Sequence, residues 1–126
     1  MNISISYQSE KPMYEQIKEG IKQAIYNGEL EDNEALPSVR QLAADLDVSA
    51  ITTKRAYIDL EHEGFIYTVS GKGTFVKLDN IKELKKQREE EIIQETKEKI
   101  TKAKEIGISK DVLEKLLNEV WGDIDE

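Results

Sequence analysis

Two serines constrain this chain more than any other feature. Ser38 lies three residues before Gln41, Ser49 opens the run to Glu63, and only Asp47-Val48 separates the two stretches. A serine hydroxyl can accept from a backbone N–H that a helix start leaves without a partner. Ser38 with Gln41 fits a capping box, which predicts a helix from about Val39 to Leu46, with Val39, Leu42, Ala43 and Leu46 facing inward. Ser49 is expected to cap a further helix through about Glu63, and Gly64 is its C-terminal stop. Two helices joined by so tight a turn form a helix-turn-helix.

The flanking residues complete the pattern. Pro12 suits a first helical turn, where its missing N–H costs nothing, and Tyr14, Ile17, Ile21, Ala24 and Ile25 recur at helical spacing up to Asn27-Gly28. Projected at 100° per residue, Thr53, Ala56, Tyr57 and Leu60 of the Ser49 helix share one face, predicted to lie on the core. Ile51, Lys54, Arg55 and Ile58 fall opposite, with Thr52 at the flank. An outward Ile beside two cations suits a surface that meets something. Phe65–Val69 and Thr74–Lys77 are β-rich around the turn Ser70-Gly71-Lys72-Gly73. The predicted fold is mainly α with a small β-hairpin: a winged helix-turn-helix domain over residues 1–78, followed by a two-helix dimerisation segment over 79–126.

Composition removes several alternatives. With no Cys, disulfide frameworks, thiolate zinc sites and thiol nucleophiles are unavailable, and one His cannot supply a three-His metal site from a single chain. No window reaches the roughly 18 apolar residues of a membrane span, and the start has no signal-peptide pattern, so a cytoplasmic setting without membrane contact is expected. No cofactor and no nucleophile–base constellation is indicated, so the chain does not read as an enzyme. Gly71-Lys-Gly-Thr74 lacks the phosphate-loop spacing. His62, between Glu61 and Glu63, reads as a solvated helix-end residue, and Tyr14, Tyr57 and Phe75 read as core.

These blocks in their order resemble the GntR family of bacterial transcription regulators. The resemblance rests on Pro12-Met-Tyr-Glu-Gln-Ile17, Gly28-x-Leu30, Leu36-Pro-Ser-x-Arg-x-Leu-Ala43, Val48-Ser49, Ala56-Tyr-x-x-Leu-Glu-x-Glu-Gly64 and Gly71-x-Gly-Thr-Phe-Val76. The short remainder is similar to the YtrA-type subfamily, whose C-terminal part is a small helical dimerisation region. The resemblance implies a homodimer on operator DNA, with contacts from Arg40, from Ser49, Ala50, Ile51, Thr52 and Lys54, and from Ser70 and Gly71 in the wing. It departs at Ala50, where many members carry Arg, at Thr53, where Val is common, and at Asn33, which replaces a Gly but tolerates positive φ.

Side-chain chemistry agrees with those positions. The N-terminal residues of a helix in the major groove reach base edges; Lys54 and Arg55 can donate to guanine or phosphate, Thr52 can donate or accept, and Ala50 and Ile51 can meet a thymine methyl. Ser38 and Arg40 open the preceding helix, where a cation gains nothing from the helix dipole. Lys72 stands between two wing glycines. Net charge is −8, from 18 basic and 26 acidic residues, and nucleic-acid binding usually calls for a basic domain. Yet residues 36–58 carry three basic against two acidic residues, and residues 64–78 carry Lys72 and Lys77 with no acid. The rival expectation is a winged-helix module that binds protein and shows no sequence preference on DNA.

The second segment is rich in Glu, Lys, Ile and Leu. A long helix is predicted from about Asn80 to Glu105, with a stripe of Ile81, Leu84, Ile92, Thr96, Ile100 and Ala103, ended by Gly107. Ser109 then caps a helix whose Val112, Leu113, Leu116, Leu117, Val120, Trp121 and Ile124 form a denser apolar face. The long helix is too narrow in its stripe to cover that face, so pairing with a second copy is expected; folding back on the N-terminal domain is the alternative. These residues are too few for a separate effector domain, and any small-molecule effector stays unidentified.

Overall fold

A computed structural model describes residues 1–79 and 81–122. Its contacts divide the chain into two units, Met1–Lys85 and Lys86–Glu126.

In the first unit, α1 (Met13–Tyr26) begins with Pro12 at the N-cap rather than inside the first turn: the Pro12 carbonyl accepts from the Gln16 N–H at 3.2 Å. The second helix, α2 (Val39–Leu46), starts as expected, the Ser38 hydroxyl accepting from the Gln41 N–H at 3.0 Å. The reciprocal half of the box is not made, because the Gln41 side chain donates instead to Asp45 at 2.7 Å. Asp47 takes a left-handed conformation, φ 56°, and turns the chain into α3 (Ala50–His62), which Ser49 caps through the Thr52 N–H at 3.0 Å. Strands β1 (Ile66–Val69) and β2 (Gly73–Val76) pair antiparallel with Ile66 opposite Val76 and Val69 opposite Gly73. Phe65 therefore precedes the hairpin and is buried.

The stretch before α2 adds to the sheet. Ala35 bridges Phe75, the Leu36 N–H donates to Thr74 O at 2.9 Å, and the Val76 N–H donates to Glu34 O at 2.9 Å. Asn33 makes the entry turn at φ 65°, and its side-chain oxygen accepts from the Tyr67 hydroxyl at 2.6 Å. This pairing ties the wing to the Leu-Pro-Ser turn that begins α2.

Ile17, Ile21, Leu60, Ile66 and Val76 are the largest apolar side chains at the centre of the core, together with Thr53. Thr53 is tolerated there because its hydroxyl donates back to Ser49 O at 3.2 Å. The long helix α4 (Ile81–Glu105) enters this core: Ile81 is buried in it and Leu84 packs against it. Both were expected in a dimer contact, and the domain boundary was expected after residue 78; burial in the first unit corrects Ile81 and moves the division to Lys85. Asn80, predicted as the helix start, and Ile124, predicted on the last apolar face, lie outside the described residues.

In the second unit α4 runs to Glu105, Gly107 turns the chain at φ 88°, and α5 (Lys110–Trp121) follows, its first turn capped by Ser109 through the Val112 N–H at 3.3 Å. Among the described residues of α5 none is buried. Ile92, Ile100, Leu116, Leu117, Val120 and Trp121 are all exposed, Trp121 by 77%, and Leu113 is half-buried. The α4 and α5 faces line an open apolar groove of about 380 Å³, formed by Ile100, Leu113, Leu116, Leu117, Val120 and Trp121 with Thr96 at its side.

Candidate nucleic-acid interface

Helix α3 divides along its length as the projection predicts. Thr53, Ala56, Tyr57 and Leu60 are buried, whereas Ile51 is 83% exposed and Lys54, Arg55 and Ile58 are exposed beside it. A second bond on the core side orients this helix: the Tyr57 hydroxyl donates to Pro37 O at 2.7 Å. Burial pushes the Tyr57 phenol well above its ordinary pKa, so it stays protonated and a donor even in alkaline solution. Sequence reasoning placed Tyr57 in the core and missed this bond, which fixes α3 against the turn carrying Ser38 and Arg40.

The capping serines have committed hydroxyls. Ser49 accepts from the Thr52 N–H and donates to the Thr52 hydroxyl at 2.7 Å, so Thr52 retains its own proton for an outside acceptor. Ser38 is occupied as an acceptor by Gln41. Ala50 and Arg40 are exposed on the first turns of their helices. In the wing, Ser70, Gly71 and Lys72 are exposed; Gly71 takes φ 77°, and a methyl group there would meet nothing within 4 Å, so the backbone at this turn is open to close approach.

The cations fall into two populations. On α1, Lys18 sits among Glu63 at 2.6 Å, Asp59 at 3.5 Å and Glu15 at 3.7 Å, and Lys22 also reaches Glu63 at 2.6 Å. Among the described residues Arg40, Lys54 and Lys72 have no ion pair and no side-chain hydrogen bond, and Arg55 has only a ring contact with Tyr14. The acids at the C-terminal end of α3 are engaged elsewhere: Asp59 and the C-cap Glu63 pair with Lys18, and Glu61 accepts from the Thr68 hydroxyl at 3.2 Å. The face with Ile51, Lys54 and Arg55 is thus a surface of donors and apolar groups whose cations form no ion pair among the described residues.

The α1–α3 ion cluster sets a pH response. Burial works against charging Lys18, but the hydrogen bond and charge of Glu63, with Glu15 and Asp59, outweigh it and raise its pKa above 10.5. Burial likewise opposes charging Glu63, and its hydrogen bonds and attraction to Lys18 and Lys22 override that, lowering it below 4.5. The stabilisation from Glu63 is therefore complete above its unfolded pKa and lost as pH falls through its lower folded value. That from Lys18 is complete below 10.5 and lost as pH rises through its folded value. Glu63→Gln should lower Tm at neutral pH by an amount that shrinks as the solution is acidified, measured by circular dichroism. A Tm difference that stays constant into the acid range would contradict the assignment.

No described helix is long and apolar enough to cross a membrane. Residues 13–76 match the family of bacterial regulatory proteins named gntR. The chain is 31% identical over 122 residues to the HTH-type transcriptional repressor YtrA of Bacillus subtilis, covering 97% of this chain and 94% of that one. It also matches longer relatives, of one of which it spans only 30%. A GntR family transcriptional regulator from Listeria monocytogenes has a similar structure, with 32% identity and a TM-score of 0.71 over 90% of this chain and 98% of that one. The DNA-binding domain of AraR, solved in complex with operator ORE1, matches 60% of this chain and 93% of its own length at 32% identity and a TM-score of 0.52. Fold and relatives are those of transcriptional regulators rather than enzymes. A winged helix-turn-helix with this order of motifs, matched along nearly its whole length by YtrA, makes the chain a member of the GntR family.

Proposed function

We propose that the protein is a dimeric, sequence-specific repressor that binds a palindromic operator. The observation that carries this reading is the outward face of α3, where Ile51, Lys54 and Arg55 stand exposed and neither cation forms an ion pair among the described residues. A helix of this size fits the major groove, and Ser49 to Arg55 form its leading end. Arg40 and Ser38 reach the flanking phosphate or base, and Ser70, Gly71 and Lys72 bring the wing against the backbone. The operator complex of the AraR domain supports this mode of use for a related domain.

The second unit supplies the pairing. Its groove is lined by Leu113, Leu116, Leu117, Val120 and Trp121, and apolar side chains left in water at this density favour burial against a second copy. Ile92 and Ile100 extend that surface along α4. With Ile81 absorbed by the first unit and Leu84 packed against it, the interface rests on the residues from Ile92 onward. A two-fold pair presents two α3 helices and reads two half-sites about one DNA turn apart.

Selection of genomic fragments by the purified protein, followed by footprinting, tests the function directly: a symmetric footprint over a recurrent motif is expected, and fragments without a common motif would contradict it. On the selected site Arg40→Ala should cost roughly 1–3 kcal/mol of binding where Arg40 reads a base. A loss confined to one base position identifies readout, an equal loss on every sequence identifies a phosphate contact, and unchanged binding removes Arg40 from the interface.

A further inference from the structure

Arg55 differs from the other cations of the α3 face in being held before any ligand arrives. Its guanidinium carbon stands 3.7 Å from the centre of the Tyr14 ring. Tyr14 lies in the first turn of α1, half-buried and packed against the core, so the ring is a fixed platform rather than a surface flap. A cation over an aromatic face is held by the ring's quadrupole and spends no N–H donor in the contact. Among the described residues none of those donors meets an acceptor. Lys54, one residue earlier, has no such support.

This arrangement does what a DNA-contacting arginine needs. A free arginine on a helix surface samples many rotamers, and fixing it on a ligand costs entropy; a side chain ordered beforehand avoids much of that cost. We propose that Tyr14 is a positioning residue of the DNA interface, holding the Arg55 guanidinium on its ring so that the N–H edges are set toward an acceptor on the operator. The proposal rests on the DNA-binding reading above and assigns the first turn of α1, which carries no acceptor-seeking charge of its own, a share in operator affinity. It also explains why an aromatic residue with one flank outside the core stands at position 14.

The test is a thermodynamic cycle in the full chain on the selected operator, with Tyr14→Leu, Arg55→Gln and the double variant, plus Tyr14→Phe as the conservative replacement. Arg55→Gln should weaken binding about tenfold, and Tyr14→Leu about three- to fivefold, the scale of a lost cation–π contact. The double variant should be no weaker than Arg55→Gln alone, and Tyr14→Phe should rescue the loss. In the free protein the Arg55 side-chain protons should be shifted upfield by the ring current in wild type and Tyr14→Phe, and return to ordinary positions in Tyr14→Leu. Additive losses, wild-type affinity in Tyr14→Leu, or wild-type affinity in Arg55→Gln would overturn the positioning role while leaving DNA binding intact. Wild-type protein without sequence preference would overturn both. If Tyr14→Leu does not fold, the wild-type spectrum decides, since unshifted Arg55 protons there rule the stack out.

Discussion

Lys54→Glu is expected to weaken operator binding at least thirtyfold while leaving the fold and the proposed dimer unchanged. Lys54 is exposed and, among the described residues, has no ion pair or hydrogen bond to lose, so stability should move by no more than about 0.5 kcal/mol. On DNA the substitution removes a charge-assisted donor and sets a carboxylate against a phosphate-lined groove, a change of roughly 2–4 kcal/mol where one base or phosphate contact is worth about 1–3. The proposed two-fold dimer would carry the change twice, in both half-sites. Filter binding or fluorescence anisotropy against the selected site measures the loss, and thermal unfolding measures the fold. Near-wild-type affinity would take α3 out of the groove, and a lower Tm would show that Lys54 has a structural role.

Leu117→Glu is expected to convert the proposed dimer into monomers. Leu117 is 56% exposed in the single chain and lines the groove with Leu113, Val120 and Trp121. Within one chain a glutamate at this position stays in water at little cost; across a paired surface it would be buried without a partner, which costs several kcal/mol per copy. Light scattering or sedimentation should give the monomer mass, and far-ultraviolet circular dichroism should keep the helical signal. Operator affinity should fall much further than for any single DNA-contact variant, because one α3 alone reads one half-site. A Leu117→Glu protein that stays dimeric would place the interface elsewhere.

The parts of this molecule legible in the sequence are those governed by local rules. Ser38 and Ser49 announce their helices because a cap is a contact with the next few residues, and the buried and exposed sides of α3 follow from helical spacing alone. Asn33 and Asp47, both at positive φ, occupy turns suited to residues that tolerate it. What was hidden depends on distance along the chain. The Tyr57–Pro37 bond joins residues with no pattern in common, and the pairing of 33–36 with β2 involves a stretch lacking alternation. The ion cluster around Lys18 joins α1 to the far end of α3. Ile81 and Leu84 were read with the helix they belong to, since a helical stripe does not record where one partner ends and the next begins; only their burial does. For the proposed interface, the cations are named by the sequence, but their lack of ion pairs among the described residues and the Tyr14 platform needed coordinates.

The acidic balance of the chain is compatible with this account because charge is sorted in space. Asp59 and Glu63 bind Lys18 and, through Glu63, Lys22, while Arg40, Lys54 and Lys72 meet no acid among the described residues. Net charge governs non-specific encounter, whereas the local face would govern the proposed complex, so an acidic chain is expected to bind bulk DNA weakly without losing the donors of that face.

Contact of the outward side of α3 and the wing with duplex DNA can be read residue by residue by titrating isotope-labelled protein with the selected operator and following backbone amides by NMR. The account predicts that the amides of Arg40, of residues 49–55 and of residues 70–72 shift together, while those of Asp59, Glu61 and Glu63 stay in place. Shifts gathered on the acidic end of α3 or confined to α5, with Ala50–Arg55 unmoved, would contradict it.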